Sequence, residues 1–203
     1  MVVIKNYNQD YFYKIVKEKY IFSDEGYYIF NGDKWSINCI MPTKKRQLNA
    51  DSCSKEIFSF LKKYLDNQKT FNSIQDYSTT KINGMCFNHQ LISDKHELSL
   101  SHSLCVNLST IIPFFHLHVL ELKRKENNFP KWDGLPVRNK DLEEGDYKVH
   151  VDSIKDFMIS KLCMREFPDS LTNKVVPEIY TEDIRKGSFT YFNAFFQREY
   201  YTR

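Results

Sequence analysis

A chain of 203 residues with 29 basic and 26 acidic side chains carries a formal net charge of only +3. That is too small and too evenly balanced for the electrostatic footprint of a nucleic-acid or membrane-surface binder. Six glycines and six prolines are too few for a fibrous or disordered chain. Sixteen Phe and thirteen Tyr supply large rings that favour strands and burial, and a chain of this length can bury about 70% of its unfolded surface without staples.

The five cysteines, at 39, 53, 86, 105 and 163, are odd in number and widely spaced, which reads as reduced thiols in a cytoplasmic protein. The opening Met1–Lys5 runs into polar Asn6-Tyr7-Asn8 and does not read as a signal peptide. No apolar run approaches the roughly 20 residues that span a bilayer.

In chain order, residues 9–20 suit a first helix with Phe12, Ile15, Val16 and Tyr20 on one side, although Tyr11, Tyr13 and Ile15 also alternate as a strand would. Asn31-Gly32 is the preferred pair of a type I′ turn and predicts a hairpin between 27–30 and 34–41. Asp51 or Ser52 can cap a second helix running to about Asp66, with Ile57, Leu61, Tyr64 and Leu65 at helical spacing and Phe58 and Phe60 widening the stripe.

Residues 81–123 read as a three-stranded meander. Its middle strand alternates Leu98, Leu100, His102, Leu104, Val106 and Leu108 with Glu97, Ser99, Ser101, Ser103, Cys105 and Asn107. That pattern predicts one buried face and one wet face.

Turns at Asp94-Lys95 and at Thr110 would set Phe87 opposite His102, His89 opposite Leu100, and His102 opposite His118. His89, His102, His116 and His118 would then share one sheet face, close enough to hold a divalent transition metal such as zinc or to serve as acid and base. The competing reading is core histidines whose ring nitrogens meet backbone or hydroxyl partners. A one-residue slip of any strand would scatter the four.

Residues 124–146 form a long polar loop in which Phe129, Trp132 and Arg138 are candidate partner contacts, because aromatics and Arg dominate binding hot spots; the competing reading is that Phe129, Trp132 and Leu135 pin the loop to the body. A short strand then precedes a third helix entered at Asp152 or Ser153, with Ile154, Phe157, Met158 and Leu162 inward and Pro168 ending it. Residues 174–180 and 188–196 read as closing strands around Gly187.

The chain has no phosphate-binding glycine loop, no G-x-S-x-G and no H-E-x-x-H. Together these signals predict one α+β domain over 1–203, with a mostly antiparallel sheet of six to eight strands and about three helices. Two functions follow as expectations. One is a non-enzymatic intracellular domain, without cofactor, that binds another protein as an inhibitor or immunity-type partner. The other is a metal-dependent enzyme using the histidine face.

Overall fold

A computed structural model describes residues 7–30, 50–76, 86–95, 100–109, 111–123, 136–137, 147–182 and 184–196. The expected α+β class is found. Helix α1 (Gln9–Lys19) leads into a ribbon of β1 (Tyr20–Phe22) and β2 (Tyr28–Phe30). Helix α2 (Ala50–Asp66) is followed by β3 (Ser73–Asp76), β4 (Cys86–Lys95), β5 (Leu100–Ser109), β6 (Phe114–Lys123) and β7 (Pro136–Val137). The chain continues through α3 (Lys148–Ser160), β8 (Arg165–Glu166), α4 (Asp169–Thr172) and α5 (Tyr191–Phe195).

Strands β3 to β7 are neighbours in sequence order and antiparallel, and β8 joins β6 in parallel. The resulting six-stranded sheet is packed on both faces. On one face Phe87 and Leu91 of β4, Leu104, Val106 and Leu108 of β5, and Phe115, Leu117 and Val119 of β6 meet Cys53, Ile57 and Leu61 of α2 and Val151, Ile154 and Met158 of α3. The two helices touch through Phe60 and Phe157, whose rings stack at 4.1 Å. Each fully buried aliphatic here contributes about 2 kcal/mol of transfer free energy.

The second core joins Cys86 and Phe114 of the sheet to Phe12 and Val16 of α1, to Phe167, and to Phe192 and Phe195 of α5. Phe12 is its hub, edge-on to Phe114, Phe167 and Phe195.

Local signals explain the helix starts. Asn8 Oδ1 accepts from the Tyr11 N–H at 3.0 Å and caps α1, the preferred N-cap arrangement. Thr190 and Asn193 form a reciprocal capping box at the start of α5, so the expected closing strand over 188–196 is a helical turn. All five residues of α5 are buried, and a continuous apolar run does not distinguish strand from helix by period. What remains of the strand pairing is a single bridge between Val175 and Thr190.

Helix α3 starts at Lys148, ahead of Asp152, and takes up the stretch expected as a short strand. It ends at Ser160, and Pro168 stands at the N-cap of α4 instead of stopping α3. Strand β2 pairs with β1, Tyr20 opposite Phe30; the expected Asn31-Gly32 hairpin lies outside the described residues. The expected long loop is not wholly irregular, because Pro136 and Val137 pair with Leu120 and Val119. A proline is tolerated at the first residue of such a short edge strand.

Candidate functional site

The meander exists, but its two registers differ from the expected ones, and the difference decides where the histidines go. Strands β4 and β5 pair Leu91 with Leu104 and Phe87 with Leu108, six residues from the predicted register. An even slip preserves the faces, so apolar still meets apolar and sequence matching could not detect it. Strands β5 and β6 pair Leu108 with Phe115 and Cys105 with His118, three residues from the prediction. An odd slip turns every β6 side chain over.

The cause lies in the connection. Pro113 has no N–H to give a ladder, and Ser109 Oγ accepts from the backbone N–H groups of Ile111 and Ile112 at 3.2 and 3.3 Å, which lengthens the turn. The all-apolar set Phe115, Leu117 and Val119 then faces α2 and α3, and Phe114, His116, His118 and Leu120 take the other side.

The four histidines therefore do not share a face. His89, and His102 by its place in the register, lie on the α2/α3 side, and His116 and His118 lie on the α5 side. Among the described residues, no three His, Cys, Asp or Glu side chains are placed to hold a metal ion. Phe129, Trp132 and Arg138 lie outside the described residues.

The face expected to be wet is buried. Ser103, Cys105 and Asn107 are enclosed, as are Asn88, Gln90, His116 and His118. Two cross-strand rows organise this layer: Asn88–Asn107–His116 and Gln90–Cys105–His118. Asn107 is the hub, since its Oδ1 accepts from Asn88 Nδ2 at 2.6 Å and its Nδ2 lies 3.3 Å from the His116 carbonyl and 3.2 Å from His118 Nδ1. Gln90 Nε2 donates to Asn88 Oδ1 at 3.0 Å.

His116 is 3% exposed, lies against Phe192 and Phe196, and has no hydrogen-bond partner at either ring nitrogen. Burial, with smaller contributions from His118 and Lys155, holds its pKa well below the ordinary imidazole value. Burial lowers that of His118 to about 4. Both rings are neutral at physiological pH.

The other face holds an arrangement that no motif announced. Antiparallel pairing sets Asp76 of β3 directly opposite His89 of β4, and α2 lays Ser54 over the same ring. Ser54 Oγ is 3.0 Å from His89 Nε2, and Asp76 Oδ1 is 3.4 Å from His89 Nδ1. The second contact is an ion-pair distance without hydrogen-bond alignment. Phe58, one turn along α2, packs its ring 5.2 Å from the imidazole.

Burial lowers the His89 pKa, opposed by the Asp76 charge and by a backbone contact with Ser54. The neighbouring Cys53 thiol is pushed up to about 11, chiefly by burial, and stays protonated.

His150 offers a contrast. Its two nitrogens meet the Tyr64 hydroxyl at 2.6 Å and Thr70 Oγ1 at 2.9 Å, which is how a structural core histidine is normally satisfied. Searches with this chain found no matching family model, no matching curated protein and no matching solved structure.

Proposed function

We propose that this chain is an intracellular protein-binding domain of the inhibitor or immunity type, and that the β1–β2 ribbon is its contact surface. The observation that carries this reading is the apolar character of that ribbon at the surface. Ile21, Phe22 and Ile29 are 46%, 55% and 40% exposed. Ile21 and Ile29 are direct cross-strand partners. Phe22 stands edge-on to Tyr28 and Tyr180, forming a surface aromatic group. The ribbon thus presents an apolar pair on one face and an aromatic group on the other; exposed apolar groups mark interaction sites, and aromatic anchors supply most interface energy.

A reducing compartment is supported by Cys53, Cys86, Cys105 and Cys163, all of which are free thiols. Among the described residues no helix is long and apolar enough to cross a membrane.

The test is partner capture from the source cells, followed by titration of the purified partner against wild type, Phe22→Ala/Ile29→Ser and Trp132→Ala. Exposed substitutions leave the fold within about 0.5 kcal/mol of wild type. The reading expects the ribbon variant to weaken Kd by about 10–100-fold. Unchanged affinity in that variant, or self-association of the chain as the only event at the ribbon, overturns it. Loss in Trp132→Ala alone moves the contact to the segment 124–146, where Phe129 and Arg138 also lie.

A further inference from the structure

We propose that Ser54, His89 and Asp76 form an acyl-transfer relay, with Ser54 Oγ as nucleophile, His89 as its base and Asp76 as the group that orients the ring, acting on short-chain activated esters. The proposal stands on residues remote in sequence from the β1–β2 ribbon and is independent of partner binding.

The geometry has a hydroxyl within hydrogen-bond reach of an imidazole nitrogen, a carboxylate at ion-pair distance from the other nitrogen, and rigid elements holding all three. The hydroxyl–imidazole distance is 3.0 Å and the imidazole–carboxylate distance 3.4 Å. Ser54 is fixed by helix α2, and the His89–Asp76 pair by a cross-strand register.

The polarity follows from donor and acceptor inventories. An ionised Asp76 can only accept, so it favours the tautomer with the proton on Nδ1. Nε2 then carries the lone pair and accepts from the Ser54 hydroxyl, as a general base must. The rival arrangement puts the proton on Nε2, donating to the Ser54 backbone, and leaves two acceptors, Nδ1 and the carboxylate, facing each other. His150, by contrast, meets neutral hydroxyls at both nitrogens. His89 has a carboxylate instead.

The burial gradient limits the substrate. Ser54 is 7% exposed, His89 is 1% exposed and the Asp76 side chain is half exposed, so the hydroxyl and the ring are both enclosed, and acyl groups larger than a short chain are shut out.

In the forward step Ser54 Oγ bonds to the ester carbonyl carbon and its proton passes to His89 Nε2. The bond from the carbonyl carbon to the leaving oxygen breaks, and that oxygen takes the proton from His89. Water then attacks the acyl-serine, giving its proton to Nε2. The acid leaves, and Ser54 recovers its proton.

The experiment treats the folded chain with p-nitrophenyl acetate and maps acetyl groups by peptide mass, in wild type, Ser54→Ala and Asp76→Asn. In parallel, 15N NMR of the wild-type imidazoles near pH 8 reports the His89 tautomer. Acetylation of Ser54 at a rate about 10²–10⁴-fold above that in Asp76→Asn is expected, with His89 protonated at Nδ1. Asp76 is exposed enough for its variant to fold. The tautomer measurement decides the matter without any variant. Ser54 acetylated no faster in wild type than in Asp76→Asn, or His89 carrying its proton on Nε2, overturns the proposal.

Discussion

The two faces of the central sheet are equally buried and differently made. The face under α2 and α3 is closed mainly by Leu, Val, Ile and Phe, with Ser54, His89, Ser93 and His150 as its scattered buried polar groups. The opposite face buries Asn88, Gln90, Ser103, Asn107, His116 and His118. An apolar layer gains stability from area and is indifferent to pH. A buried polar layer holds only while its hydrogen bonds are made and its ionisable groups stay neutral. The comparison teaches that the amides and histidines specify the arrangement on their face more than they strengthen it.

The largest expected effect is on the apolar side. Leu104→Ala removes a fully buried side chain and should cost about 3 kcal/mol, read as the same loss in urea unfolding at pH 7.5 and at pH 5. A loss that differs between the two pH values would show that the faces do not act independently.

Acid should act on the other face with nearly equal size. The folded-state pKa of His118 is lowered to about 4 by burial, against roughly 6.5 in an unfolded chain. The folded state therefore binds fewer protons, so the stability this group permits is complete above about pH 6.5 and is lost as pH falls towards 4. The loss for this one ring approaches about 3 kcal/mol. His116, shifted in the same direction, adds to it. Stability profiles of wild type and His116→Leu between pH 8 and 4 check this, with the flatter profile expected in the variant.

Asn107→Ala should cost about 2 kcal/mol, because Asn88 Nδ2 and the His116 carbonyl each lose a partner. A cost no greater than that of an exposed Asn would show that other groups take over its bonds. His116→Leu at pH 7.5 should be slightly stabilising, by about 1 kcal/mol, since it removes two buried nitrogens without hydrogen-bond partners. Thermal unfolding of the same variant measures it.

The smallest effect lies outside both faces. Cys163 sits at φ 52 after α3, a left-handed conformation that glycine adopts at less cost. Cys163→Gly should raise stability by about 0.5 kcal/mol, and its Tm should not fall.

The α2 and α3 stripes were legible in sequence because helical spacing is a local property. Ile57, Leu61, Ile154 and Met158 are buried as their positions demanded. Strand identity in the meander was equally legible from period-2 alternation. The candidate relay was not. Ser54, Asp76 and His89 share no motif, and their proximity depends on β3 pairing with β4 while α2 packs across them.

By itself, then, the sequence determined the long helices and the three meander strands, since periodicity acts over a few positions, but not the ends of those helices or the helical turn at Tyr191–Phe195. Only the tertiary structure decided which face each β6 residue took. The pattern allowed more than one register with good apolar matching, and a proline-bearing turn with two hydrogen bonds to Ser109 selected an odd slip. That choice separated His116 and His118 from His89 and set them in the buried polar layer, while the β3–β4 pairing and the packing of α2 left His89 between Ser54 and Asp76.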